Sequence, residues 1–263
     1  MLRLSLAALL AVLLALAPPA DAQRRARRSA RPARPARPAA AQVPARAPVP
    51  VATNVYEITT PKGRIVVRLF DETPLHRDNF RARAAAGLFD STLFHRVIPT
   101  FMAQGGDPNT RDADPSNDGL DSPGATIPAE IGRPHLRGAL AAARQGDGIN
   151  PTRASSPSQF FLVQGRPFGP RELPQVLPMV RAGTGDPAFT FAPDLAQRYA
   201  TEGGAPYLDG QYTVFGEIIE GLAVLDAIAA VPTRGPDRPT EAIWMVVRPL
   251  APTYAPSGAV TGP

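Results

Sequence analysis

Residues 94–107, FHRVIPTFMAQGGD, decide the reading of this chain. Around Pro99 the residues alternate as strands do. That places Phe94, Arg96 and Ile98 on one face, His95 and Val97 on the other, and then Met102 together with Gln104. A buried strand does not ordinarily set a cation and a side-chain amide among Phe94, Phe101 and Met102, because unpaired polar groups are costly there. Two strands joined at Pro99 would bring these side chains to one concavity, mostly apolar with a few polar groups, which is the make-up of a binding site.

Working outward, residues 55–60 and 64–70 flank Pro61-Lys62-Gly63, a turn with its proline and glycine where a hairpin wants them. Thr73-Pro74 opens a helix, with Leu75, Asn79, Phe80 and Ala84 at helical spacing and Gly87 ending it. Residues 107–124 read as a long loop rich in Asp, Asn, Pro and Gly. Its acids (Asp107, Asp112, Asp114, Asp118 and Asp121) do not have EF-hand spacing, and a solvated loop is the favoured reading over a calcium site. Short strands are expected at 127–131, 138–143, 159–163, 212–219 and 243–248, with helices at 194–199 and from Leu222 to a stop at Pro232. Many short strands with widely separated helices argue for a mainly β fold, an antiparallel barrel or sandwich with helical plugs.

The ends differ in kind. Residues 1–22 carry one early Arg, an apolar run from Leu4 to Ala17, two prolines and Ala20-Asp21-Ala22, the layout of a cleavable secretory signal. The apolar run is shorter than the roughly twenty residues that span a bilayer, so no stable membrane insertion is expected after cleavage. Residues 23–53 are an Arg/Pro/Ala-rich segment in which repeated Arg-Pro-Ala resists helix and sheet alike, read as an extended linker. Residues 251–263 read as a frayed tail. The net charge of +5 comes from the front of the chain. Without Arg3 and the eight linker arginines, 19 of 28 cations remain against 22 of 23 acids once Asp21 is set aside, about −3. The folded part is therefore slightly acidic, and nucleic acid is not an expected partner. There is no cysteine, which excludes disulfides and thiol catalysis; with the signal, this points to a periplasm. The three histidines (76, 95 and 135) do not stand at ligand spacing, no nucleophile-elbow sequence is present, and no glycine loop for a nucleotide follows a parallel strand.

Four motifs in order carry a resemblance: FHRVIPTFMAQGGD at 94–107, RGALAAAR at 137–144, SQFFLV at 158–163 and YLDGQYTVFGEIIEG at 207–221. In sequence and spacing the chain resembles the cyclophilin family of peptidyl-prolyl cis-trans isomerases over about residues 55–247, apart from 165–206. The resemblance implies a closed eight-stranded antiparallel β-barrel, capped by helices at 74–86 and 222–230, with 165–206 as an inserted region in a domain spanning 54–250. It implies isomerisation of X-Pro bonds in proline-containing, unfolded or exported polypeptides, with no metal and no cofactor, and a monomer is expected.

By the same resemblance Arg96 matches the catalytic arginine and Gln104 the glutamine that orients it. Phe101, Met102, Phe161 and Leu208 match the pocket for the proline ring. Gln159, with the backbone of Ala143 and Arg144, matches the groove for the substrate chain, and His95 packs away from the site. Tyr207 and Tyr212 stand at substrate-facing positions where many members carry tryptophan and histidine, so weak cyclosporin inhibition with retained activity is expected. Ala142 replaces a usual methionine, in the core or beside the proline site. Arg144 replaces an asparagine used largely through its backbone. The inserted region is read as a decorated surface loop, with a lid or substrate-selecting extension as the alternative. A proline-binding or chaperone scaffold without catalysis is the rival function; the retained Arg96 and apolar pocket favour the enzyme.

Overall fold

The computed structural model describes residues 54–251 except 113 and 121. The expected signal segment, the linker and nearly all of the tail lie outside the described residues. Strands β1 (Val55–Thr60), β2 (Gly63–Leu69), β3 (Arg96–Ile98), β4 (Met102–Gly105), β5 (Ala139–Ala142), β6 (Phe160–Val163) and β7 (Val214–Glu220) precede a small hairpin, β8 (Thr233–Arg234) with β9 (Arg238–Pro239), and a final strand, β10 (Val246–Pro249). Eight of them form one antiparallel sheet in the order β10-β1-β2-β7-β5-β6-β4-β3, curled as a half-barrel. The ladder ends at β10 and β3. Between the segments just before those strands runs an isolated bridge, Leu93 to Trp244, with Met245 N donating to Thr92 O at 2.9 Å.

Helices α1 (Pro74–Ala85) and α4 (Leu222–Ala229) pack Phe80, Ala84, Leu225 and Ile228 into the main apolar core with the inward side chains of the sheet. Phe80 lies 4.9 Å from Phe89 and 5.4 Å from Tyr56, ring centre to ring centre. Each such fully buried apolar side chain contributes roughly 1.5–3 kcal/mol. The N-terminus of α1 departs from expectation: Thr73 makes no side-chain cap. Glu130, from a distant loop, accepts instead from Leu75 N and His76 N, both at 3.0 Å, and so satisfies two of the free amides there.

Several expected elements shift. Residues 127–131 form no strand and contribute a bridge from Ile127 to Ser155. The last strand begins at Val246 rather than at 243. Phe94 faces the main core with Phe160, at 6.5 Å, and does not share a face with Arg96. Strict alternation holds only once paired strand begins at Arg96; Leu93, bridged to both Asp107 and Trp244, turns the chain before that point. Ala142 lies in the core, which resolves its placement.

Residues 165–206 fold into two helices, α2 (Leu173–Thr184) and α3 (Pro193–Thr201), around a cluster of Leu136, Phe168, Leu173, Val176 and Tyr199. The expected 194–199 helix is α3. The sequence reading missed α2 because Pro174 and Pro178 read as breakers, yet Pro174 sits in the first turn, where its missing N–H costs nothing.

Candidate active site

The sheet register assembles the site. Across adjacent strands Arg96 pairs with Gln104, Gln104 with Phe161, Phe161 with Ala141, and Ala141 with Val214; one row over, Ile98 pairs with Met102 and Met102 with Val163. Paired residues share a face. This outer face therefore carries its own apolar cluster, in which Met102, Phe161 and Val163 are buried while Phe101, Tyr207, Leu208 and Tyr212 are only partly so. Intervening residues Val97, Ala103, Phe160 and Leu162 point the other way into the main core.

Arg96 stands at the end of the row with 44% of its side chain exposed, and its Nε donates to Asp237 Oδ2 at 3.4 Å. Asp237 is held in place by its own carbonyl, which accepts from Val97 N at 2.8 Å. Gln104 directs its amide to Gln159 Oε1 at 3.1 Å, so Arg96's bond here is with Asp237, not with the glutamine expected to orient it. Beside these residues opens a cavity of about 440 Å³ that shares Gln104, Ala143, Arg144 and Gln159, with exposed Leu120 and Ile149 at its edge. Phe101 and Tyr207 meet at 5.7 Å, and Phe161 meets Tyr212 nearly perpendicularly at 5.8 Å. Ala143 N donates to Gln159 O at 3.0 Å, and its carbonyl accepts from Ser156 N. The Arg144 side chain is 3% exposed, lies over the Tyr212 ring at 4.5 Å, and pairs with Asp147 at 2.6 Å. Its charge is thus spent on structure. All eleven expected site residues fall along this one face and its rim.

His95 is buried away from the cluster, and burial pushes its imidazole down to about 4. Two of the loop acids expected as solvated are instead committed to bonds, Asp107 accepting from Gly119 N at 2.6 Å and Asp118 pairing with the distant Arg238, while Asp112 and Asp114 are exposed as expected.

Sequence reading missed Asp237, which lies 141 residues from Arg96 in a Gly-Pro-Asp turn whose local signal announces the turn but not its partner. It also missed a second arrangement. His76 Nδ1 lies 2.7 Å from Glu130 Oε2, and its Nε2 lies 2.9 Å from Ser155 Oγ, the spacing of a hydrolase triad. Ser155 is 1% exposed, and its own N–H and that of Ser156 are taken by Ile127 O and Ala143 O. With no access for a substrate and no free donors at the serine, the trio is a structural clasp between α1 and the loops.

Residues 55–248 match the family described as cyclophilin type peptidyl-prolyl cis-trans isomerase/CLD. A Staphylococcus haemolyticus protein named as a peptidyl-prolyl cis-trans isomerase is 36% identical over 185 residues, covering 68% of this chain and 82% of that protein. A Streptococcus pyogenes protein named as a bifunctional phosphatase/peptidyl-prolyl cis-trans isomerase is 36% identical over 191 residues, which is 70% of this chain but 36% of that protein. Among solved structures, a Cryptosporidium parvum cyclophilin-type isomerase aligns with a TM-score of 0.53 at 23% identity, over 75% of this chain and 99% of that one, and it shares the fold. The same protein was also solved in the presence of the dipeptide Ala-Pro. With the match spanning the whole described sheet and its site, this chain belongs to the cyclophilin-type peptidyl-prolyl cis-trans isomerase family.

Proposed function

We propose that this protein isomerises X-Pro peptide bonds in exported polypeptides as they fold, with Arg96 as the hydrogen-bond donor to the twisted transition state. The observation that carries this reading is the row Arg96–Gln104–Phe161, which sets a half-exposed guanidinium at the rim of a partly open aromatic face. Rotation about the bond must overcome amide resonance, a barrier of roughly 18–20 kcal/mol. Uncatalysed, it takes on the order of tens of seconds, long enough to limit folding. As the bond twists, the prolyl nitrogen regains its lone pair. A donor aimed at that nitrogen binds the twisted state better than either planar isomer, and that difference is catalysis.

The side chains divide this work. Phe101, Met102, Phe161 and Leu208 hold the proline ring, with Tyr207 and Tyr212 completing the wall. Asp237 holds Arg96 through Nε, which leaves the terminal nitrogens of its fork for the substrate. Gln104 and Gln159, bonded to each other, line the path of the substrate chain with Ala143, whose own N–H is already committed, so Arg144 offers the open backbone. The isolated Leu93–Trp244 bridge, between the segments that precede the two end strands, supports the closed-barrel reading, in which no long edge would be left to pair with other chains. The signal-like residues 1–22 and the cysteine-free composition support a periplasmic location, and the enzyme is proposed to act there as a monomer.

Exchange NMR on an Ala-Pro peptide tests the reading. Wild-type protein at catalytic concentration should broaden or exchange the cis and trans signals, and Arg96→Ala should abolish most of that effect. Equal activity in the two proteins would refute the assigned mechanism, and an inactive wild type would leave the scaffold reading in its place. Cell fractionation, with sizing of the mature protein, tests export and oligomeric state.

A further inference from the structure

Residues 165–206 leave the sheet after β6 and return just before Leu208, so both ends of this insertion lie at the proline pocket. Three separate connections run from it to three rings of that pocket. Tyr207 packs on both sides, 5.7 Å from Phe101 in the pocket and 6.4 Å from Phe168 in the insertion's own cluster. Arg153 donates to Gly183 O at the end of α2 and to Gly210 O, and Asp147 then links it to Arg144, which covers the Tyr212 ring.

The third connection is polar and sealed. Tyr199 of α3 is fully buried, and its hydroxyl donates to Asp209 Oδ2 at 2.6 Å. Asp209 Oδ1 accepts from His135 N at 2.8 Å and lies 3.0 Å from His135 Nδ1. The His135 ring then lies parallel to the Phe161 ring, at 9° and 6.2 Å, with its edge toward Tyr212. The backbone is shaped for this approach. At Gly204, with φ +152°, a Cβ would sit 2.3 Å from His135 O and 2.8 Å from the Tyr199 ring.

A surface ornament needs only apolar packing to stay attached, and the Phe168–Leu173–Val176 cluster already supplies that. Burying a phenol, a carboxylate and an imidazole costs desolvation that pairing must offset, and among these three side chains His135 Nε2 is the one buried polar atom left without a partner. Such a chain fixes angles, which apolar packing does not, and the angle at its end is that of Phe161.

We propose that Tyr199, Asp209 and His135 are positioning residues that set the plane of Phe161, so that the insertion holds the proline pocket in shape without touching substrate. The proposal rests on the isomerase reading of this site. Tyr199→Phe tests it, because it keeps the ring and deletes only the hydroxyl. The expected result is a KM for a proline peptide raised roughly fivefold with kcat retained, the cost of one buried hydrogen bond. The Phe161 ring resonances should also move in the ligand-free protein. Val180→Ala, fully buried in α2 and outside the chain, should lower the melting temperature with KM unchanged. Asp209→Asn should repeat the Tyr199→Phe pattern, and it decides the matter if the first variant fails to fold. A lowered melting temperature with KM and Phe161 signals unmoved, or the same KM rise in Val180→Ala, would overturn the proposal. If wild-type protein does not catalyse exchange, the isomerase reading fails by itself, and the Phe161 signals still report whether the coupling exists.

Discussion

Strand β6 has two faces that do different work, although they alternate residue by residue. Phe160 and Leu162 are at most 1% exposed and close the main core against both capping helices. Phe161 and Val163 lie on the opposite face among residues that are only partly covered, beside a half-exposed guanidinium. The inner face is finished by the protein itself; the outer one is left partly open, and is the face proposed to take a proline ring. Folding stability and the proposed substrate recognition are thus separated by one step along a strand.

The largest expected effect belongs to the outer face. Arg96→Ala should lower kcat/KM by on the order of 100- to 1000-fold, the usual cost of one transition-state donor. Its melting temperature should hold, because the pair with Asp237 is largely exposed. Exchange NMR and thermal denaturation read the two quantities separately. On the inner face, Leu162→Ala should cost roughly 2–5 kcal/mol in denaturant unfolding with turnover per folded molecule retained. Phe161→Ala next door should act mainly on KM. If both neighbours shift the same quantity, the division of labour is wrong.

A third way to break the contrast is pH. His95 is neutral in the folded protein down to about 4, whereas a free histidine takes up its proton near 6.5. Below that value the unfolded chain binds a proton that the folded one refuses, so stability is full above 6.5 and falls through the window from 6.5 to about 4. The loss should reach on the order of 3 kcal/mol at the lower end. His76, also lowered by burial, adds in the same direction. Urea midpoints of wild type and His95→Leu, compared across this range, isolate the effect; equal slopes would count against it. Turnover per folded molecule should stay flat between pH 6 and 8, because an arginine keeps its charge there. The smallest expected effect is at Tyr207, where Tyr207→Trp should tighten cyclosporin inhibition about tenfold, as a larger ring fills the site. Tight inhibition of the wild type in a sub-stoichiometric titration would contradict this.

How much of this was legible in the sequence depends on range. The hairpin at Pro61-Lys62-Gly63, helix α1 and the positions of β4 to β7 follow from local pattern, because turn chemistry and alternation act over a few residues. The outer face was legible through its motifs, and Arg96, Gln104, Phe101, Met102, Phe161 and Leu208 do share it or its rim. Phe94 was misplaced because alternation was extended past the end of the paired strand. Helix α2 was missed because Pro174 is harmless in the first turn. The helix also carries Pro178 in its interior while its buried Leu173, Val176 and Val180 pack against the protein, a tertiary effect that local pattern does not show. Asp237, Glu130 and the His135 side of Asp209 could not be found as partners, since these bonds cross scores of residues with nothing in the local sequence to announce them.

Glu130's bond to the start of α1 has a kinetic consequence. The amides of Leu75 and His76 wait for an acceptor 55 and 54 residues further along the chain. As a twelve-residue segment, α1 is marginal alone, and its missing cap arrives only when the 127–155 bridge has brought that loop home. The helix is therefore expected to become persistent late, together with the long-range contacts that slow folding. Until then the apolar side of Phe80 stays open, and a nascent chain passes through a state whose unfinished core is exposed to aggregation.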